Sequence, residues 1–576
     1  MANLLLGGVM AFFALLPLLV LLGIVVLIVR AIDGRDRTTA DGEGIAARRM
    51  FRYLMMLLTL VLSCVGLAGL VDAAATSAQQ ITTDTAAVAL SIAFVVVAAP
   101  AFIVLAMFTR RRLRDDPAEV RSPGWALYLT LVLFGSLVTT VTLLITLVGD
   151  LLVGDGLDRT ALVNVVIWGT VWAVHWWVAE REGYEPNLRI EHLMGSFVGL
   201  VVLLSAGTVA AANVLVELYD TVVDIAPIGP TAEQIVRPLA ACAVGAVVWG
   251  WYWLRTTVHD ERSGLWNAYV LLAGVLSGVL LVVAGVGTAV FRVLEWLLAD
   301  PSGTATEHFE VVPAALGVVA AGVAAWAYHR HVLDGGTERD RTEVDRVYDY
   351  LLSGAGLVVA AGGLATLLTY ALWAIAGTEI TGSDRSVIAV ALTLLAVGGP
   401  LWGIYWSRAQ RERVRQGVDE AQSTTRRTYL FIVLGVSGLV ALVNLIVLVY
   451  LIVQAILDGT GVAEVLDAVA VPISLLATAG AVAWYHFTVV RHDRSETPKV
   501  VRPTVREVIL VTAAGQEMAS ALEAADIRVR RFHAAAPPID VDSIGDVLSA
   551  LGTEGHQHVV IVDRAEGRGF EVIPLE

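Results

Sequence analysis

The sequence predicts an all-α polytopic membrane protein of about thirteen transmembrane helices, one plus six two-helix parallel repeats, followed by a small C-terminal α/β domain. Three observations carry that reading. Of the 576 residues, 57% are hydrophobic and only 16% charged, too few polar groups to cover a soluble protein of this length. Apolar runs of membrane-spanning length recur along nearly the whole chain. After His492 the hydrophobicity drops, and short alternating strands replace the long runs.

The runs lie near residues 4–30, 50–72, 85–109, 125–149, 160–179, 192–216, 235–256, 265–298, 310–329, 348–377, 387–407, 428–457 and 467–490. Crossing a hydrocarbon core of about 30 Å takes roughly 20 residues of helix, which each of them supplies or nearly supplies. They lack the two-residue alternation of membrane strands, and open sheet edges do not survive in lipid. The run from Leu4 to Val29 has no basic segment before it and no small-residue cleavage site, so it reads as a retained helix rather than a signal peptide.

Arginine placement sets the expected orientation. The loops carrying Arg48, Arg49 and Arg52, then Arg110 to Arg114, then Arg181 and Arg189, Arg255 and Arg262, Arg330 to Arg346, and Arg408 to Arg427 are basic. The alternate loops hold Asp72, Asp150, Asp155, Asp220, Asp300, Glu310, Asp384 and Asp458. The basic loops are therefore expected in the cytoplasm of a bacterial plasma membrane, with the N-terminus outside and the C-terminus inside. The net charge of −15 argues against nucleic-acid binding. The two cysteines, Cys64 and Cys242, fall in apolar runs and exclude both a disulfide framework and a cysteine-based zinc site.

The domain boundaries expected are 1–44 for the first helix and its basic loop, 45–492 for six two-helix units of roughly 65–80 residues, 493–504 for a linker and 505–576 for a cytoplasmic domain. Most units open on a basic or aromatic entry such as Arg49 to Tyr53, Trp125 to Tyr128, Trp266 to Tyr269, Tyr348 to Tyr350 or Arg427 to Tyr429. Their second helices close on aromatics. The spacing W-x-x-[HY]-W occurs as Trp172/His175/Trp176, Trp249/Tyr252/Trp253 and Trp402/Tyr405/Trp406, with looser versions at Trp326/Tyr328/His329 and Trp484/Tyr485/His486. Residues four apart share a helix face, so each strict copy presents a tryptophan pair on one side. Such residues form either an aromatic belt at headgroup level or the lining of a cytoplasmic vestibule.

The two-helix unit with its Arg/Tyr entry and aromatic exit resembles a bacterial membrane family, domain of unknown function 5671, over about residues 45–492. The resemblance implies an integral membrane protein and brings no assigned activity, cofactor or catalytic residue.

Other polar residues read as structural. Arg292 and Glu295 are three apart and able to pair, and Arg237 sits at a helix start beside Pro238. Asn164, Asn213, Asn267, Asn444 and Gln454 are expected to bond neighbouring helices. Gly274 and Gly278 have the spacing of a close helix contact, and Pro100 and Gly398-Gly399-Pro400 predict kinks or breaks. Histidines 175, 192, 259, 329, 331, 486 and 492 all fall near the cytoplasmic boundary.

In the tail, Val508 to Val511, Ile527 to Phe532, His558 to Asp563 and Phe570 to Ile573 read as strands, and Gly515 to Ala525 and Val541 to Leu551 as helices. Val511-Thr-Ala-Ala-Gly515 joins strand to helix without a nucleotide-binding pattern, and His533, His556 and His558 read as solvated rather than metal-bound. No paired carboxylates, H-E-x-x-H or G-x-S-x-G point to catalysis. The expected function is thus a non-enzymatic membrane scaffold or sensor, partnered by the lipid bilayer, whose tail at 505–576 binds a cytoplasmic protein or small ligand. The alternative is a transporter or channel for a small solute or ion.

Overall fold

The computed structural model describes residues 40–76, 85–182, 185–223, 232–299, 303–334, 343–377 and 382–496, with parts of 505–574. The run at 4–30, the entry of the tail at 497–504 and most of the predicted tail helices lie outside the described residues, as does His556.

Among the described residues, twelve helices are long and apolar enough to cross a membrane: α1 (Arg48–Ala74), α2 (Thr85–Asp115), α3 (Pro123–Val153), α4 (Arg159–Arg181), α5 (Ile190–Val223), α6 (Ala232–His259), α7 (Gly264–Leu298), α8 (Ala305–Asp334), α9 (Glu343–Ala376), α10 (Arg385–Gln416), α11 (Thr424–Asp458) and α12 (Val462–Ser495). Each matches one of the predicted runs from residue 50 onward, and the chain is a multi-pass membrane protein. Sequential helices pair as antiparallel hairpins, α1 with α2, α3 with α4, α5 with α6, α7 with α8 and α9 with α10. Further packing joins α3 to α5 and α6, α5 to α8, and α7 to α9 and α10. The helices α2 and α11 bury only 6% of their most apolar window, so their flanks are the ones the chain leaves to lipid.

Glycine sets the closest approaches. A Cβ at Gly278 on α7 would sit 2.6 Å from the Trp326 nitrogen and 2.8 Å from the Gly322 oxygen on α8, so the predicted Gly274/Gly278 face is a helix contact. Of the kinks or breaks expected at Pro100 and Pro400, breaks do not occur, since α2 and α10 continue through both prolines. The interruptions lie elsewhere. Gly250–Leu254 in α6 and Tyr269–Leu276 in α7 are π-helical. Such turns insert an extra residue into the ladder and often mark functional places.

Polar side chains in the spans are mostly spent locally. Asn213 Nδ2 reaches the Gln234 carbonyl of α6 at 2.7 Å, as predicted for interhelical amides. Asn164 and Asn444 instead turn back to Thr160 and Val440 of their own helices, where a carbonyl four residues away is already in reach. Arg292 pairs with Glu295 at 3.0 Å. Arg237 is held by Asp150, by Asp155 at 2.6 Å and by Glu233 at 2.7 Å.

Val489–Glu576 forms a second compact unit. Its strands are β1 (Glu507–Thr512), β2 (Arg528–His533), β3 (His558–Asp563) and β4 (Phe570–Pro574), within a residue or two of the predicted ones. The order is β2-β1-β3-β4, with β1 parallel to β2 and β3, and β4 antiparallel on the edge. Val508 and Leu510 of β1 and Ile561 of β3 are wholly buried, together with Leu522 and Leu551.

Candidate functional site

The twelve helices alternate in direction, so the starts of odd-numbered helices and the ends of even-numbered ones share one end of the bundle. A ten-residue pattern recurs there. It reads Glu119-x-x-Ser122-x-x-Trp125-x-x-Tyr128 at α3, Asp260-x-x-Ser263-x-x-Trp266-x-x-Tyr269 at α7, and Glu420-x-x-Ser423-x-x-Arg426-x-x-Tyr429 at α11. The serine caps the helix in all three: Ser122, Ser263 and Ser423 accept from the backbone nitrogens of Trp125, Trp266 and Arg426 at 3.3, 3.2 and 3.4 Å. The pattern returns at every fourth helix, twice the period of the predicted two-helix unit.

In the first and last of the three the acidic member closes a lock. Glu119 sits on the short helix Pro117–Val120 and is 2% exposed. It binds Arg49 at 2.9 Å, Arg52, and the Tyr53 hydroxyl, which donates at 2.6 Å. Glu420, on Val418–Gln422, repeats the arrangement with Arg346 at 2.7 Å and the Tyr350 hydroxyl at 3.1 Å. Arg426 takes the place of Trp125 and donates to Tyr350 at 3.1 Å and to Gln410 at 3.0 Å. Each lock fastens the first helix of a four-helix group to the entry of its third. Charge-assisted bonds of this kind are stronger than neutral ones, and the paired partners offset the cost of burying the carboxylate.

The tyrosine member meets a histidine from the fourth helix of its group. His175, His329 and His486 each place Nδ1 2.8 Å from the carbonyl four residues back, on Val171, Ala325 and Val482. That contact makes Nδ1 the donor and leaves Nε2 as an acceptor. In the first group Nε2 meets the Tyr128 hydroxyl at 2.9 Å. In the other two groups Nε2 is buried without a hydrogen-bond partner.

The W-x-x-[HY]-W residues are interhelical ties. Trp172 donates to Tyr252 at 2.9 Å, Trp249 to Tyr269 at 3.0 Å, Trp253 to Tyr328 at 2.8 Å, and Trp406 to Tyr485 at 2.6 Å. The looser copy follows suit, with Trp326 donating to Tyr348 at 3.1 Å and Tyr348 meeting Tyr405 at 3.1 Å. His175, Tyr252, Trp253, Tyr405 and Trp406 are buried, and Trp176 and Trp402 are half-buried. The side chains that stay outside, as a belt requires, are Trp177, Trp251 and Trp484. Of the nine predicted residues, Trp176 and Tyr252 line a cavity, together with Glu191 of α5.

Sequence reasoning missed Glu119, Glu420 and Glu191, because each stands beside basic loops and reads as ordinary loop charge. The recurring serine and acid at fixed distance before the aromatic entry were the available signal for two of them.

Comparison with known proteins adds one family. Residues 49–170 and 346–481 each match Domain of unknown function (DUF5671). No curated protein and no solved structure matches the chain. The matches cover less than the 45–492 expected from sequence, leaving 171–345 unmatched. Each takes in three whole helices and runs into the fourth, including one complete lock; the histidines at 175 and 486 fall just past their ends. The chain carries this domain of unknown function twice, once in its first four-helix group and once in its last.

Proposed function

We propose that this chain is a non-enzymatic membrane scaffold or sensor of a bacterial plasma membrane, whose C-terminal strands form the binding part of a cytoplasmic α/β domain. The observation that carries the reading is the strand order β2-β1-β3-β4. A parallel β2-β1-β3 core needs crossover connections that pass on opposite faces of the sheet, and ligands of such sheets bind beyond the carboxyl ends of the strands where the order reverses. That point lies between β1 and β3, past Thr512 and Asp563. The locked and hydrogen-bonded end of the helix bundle supports the scaffold half of the reading. Arginine placement favours the cytoplasm for that end, and the acidic loops favour the outside for the opposite one. The expected partners are the lipid bilayer and a protein or small ligand at 505–576; the charge of −15 argues against nucleic acid.

Native mass spectrometry of the full chain beside a chain truncated after Pro498 tests this. A ligand held by the full chain and lost on truncation is the expected result. A ligand held equally by both moves the site among the helices. The second reading, a transporter or channel for a small solute or ion, draws on Glu191, a buried carboxylate with neither oxygen hydrogen-bonded. Solute flux into liposomes holding the full chain is its measurement.

A further inference from the structure

The first and second four-helix groups meet where α3 packs on α5 and α6, and the second and third where α7 packs on α9 and α10. These two seams are built alike. Gly199 of α5 lets the backbone of α6 approach at Trp249, and Gly356 of α9 does the same for α10 at Trp402, so residues 157 apart on α5 and α9 correspond. Tyr252 and Tyr405 then correspond through the W-x-x-Y-W register, and Thr130 and Leu271 through the capped serines.

On that register the second seam is filled. Tyr348, Leu352 and Leu271 are buried and pack in one cluster with Tyr405. The Tyr348 hydroxyl is satisfied by Trp326 and Tyr405. At the first seam Glu191 stands for Tyr348, Gly195 for Leu352 and Thr130 for Leu271. All three changes remove bulk or add polarity. The result is a cavity lined by Thr130, Phe134, Trp176, Glu191, Gly195 and Tyr252 among others, with room for about one water-sized guest. Glu191 is 5% exposed, and both its oxygens are buried without a hydrogen-bond partner. A charged carboxylate so placed is strongly disfavoured unless a counter-charge or a proton compensates it. Tyr252 lies in the π-helical turn of α6, whereas the backbone around Tyr405 is regular α-helix. The local distortion therefore accompanies the open seam.

We infer that this cavity is a binding site for a small monovalent ammonium-type cation, held by the Glu191 carboxylate and enclosed by the rings of Trp176, Tyr252 and Phe134. The lining decides the class of guest. A single carboxylate and one threonine hydroxyl beside aromatic faces cannot give a divalent ion the six or more oxygens it takes. Aromatic faces attract weakly hydrated cations, and the guest must match one water in size. Trp176 and Tyr252 meet edge to face with centroids 5.5 Å apart, which leaves them as walls rather than a stack closing the space.

The test is a titration of the full chain, in lipid nanodiscs, with nitrogen-15 ammonium chloride. Sodium chloride keeps the ionic strength fixed, and exchange broadening of the ammonium signal is the readout. Saturable broadening is expected for the unaltered chain. Glu191→Gln, which keeps the shape and removes the charge, is expected to weaken the apparent affinity at least tenfold. Tyr348→Phe, at the filled seam, is expected to leave it unchanged. Should Glu191→Gln fail to fold, Gly195→Ala decides. Its Cβ would fall 2.5 Å from the Tyr252 ring, so the two cavity walls can no longer keep their present places and binding is expected to drop. Absence of saturation in the unaltered chain, equal binding by Glu191→Gln, or equal competition by sodium overturns the assignment.

Discussion

The Tyr53 hydroxyl donates to Glu119 at 2.6 Å across 66 residues of chain, and the same carboxylate holds Arg49 and Arg52. Removing it takes the carboxylate from the Arg52 guanidinium and from a buried hydroxyl together, while Arg49 keeps Asp116 at 3.2 Å. Glu119→Ala should therefore cost about 3–5 kcal/mol, the range for breaking a buried ion pair from one side. Glu420→Ala should cost a similar amount in the last group. Thermal unfolding in detergent measures both, and a loss below about 1 kcal/mol in either would show that the lock is not a structural tie.

The capping serines give a smaller and additive effect. Ser122→Ala, Ser263→Ala and Ser423→Ala each remove one acceptor from a helix start, worth about 1 kcal/mol. The three sites share no partners, so the triple variant should lose about the sum. Denaturation midpoints of the single and triple variants check this.

Histidines 175 and 329 occupy matching places yet should respond to substitution unequally. His175→Phe leaves the Tyr128 hydroxyl buried without its partner and should destabilise by about 1–3 kcal/mol. His329→Phe removes an Nε2 that has no partner to lose, and should be close to neutral. Melting curves of the two variants side by side decide it; equal losses would mean that packing, not hydrogen bonding, sets the cost.

Gly278→Ala should push α7 from α8, since the new Cβ meets backbone atoms at 2.6 and 2.8 Å. A cost of about 1–3 kcal/mol is expected for overpacking of this kind. Gly435→Ala on α11, where nothing lies within 4 Å, should be neutral or stabilise by up to about 1 kcal/mol through helix propensity. Paired unfolding measurements separate the two positions.

The long helices and the four strands were legible because apolar run length and two-residue alternation are local properties. The register of the aromatic motifs was legible for the same reason. What the motifs touch was not: Trp172 finds Tyr252 80 residues away, and Trp406 finds Tyr485 79 away. Trp484 is exposed and Trp253 wholly buried at related places in the motif; spacing alone does not say which face of a helix meets its neighbour. Pro100 and Pro400 were expected to kink or break their helices and lie inside continuous ones, whereas no residue type announces the π turns at Gly250–Leu254 and Tyr269–Leu276. Glu191 stayed invisible because its meaning depends on what does not face it.

The lock at Glu119 also has a history within each molecule's synthesis. Arg49 and Arg52 leave the ribosome about 67 residues before their carboxylate, and Arg346 precedes Glu420 by 74. At roughly 5–20 residues per second, that is a delay of several seconds. During that interval the arginines are bare cations at the edge of a newly inserting hairpin, when positive charge biases which way it enters. Once the acidic turn arrives the same cations are neutralised and become fasteners. The side chains thus serve in succession as an orientation signal for the nascent chain and as a clasp for the finished one.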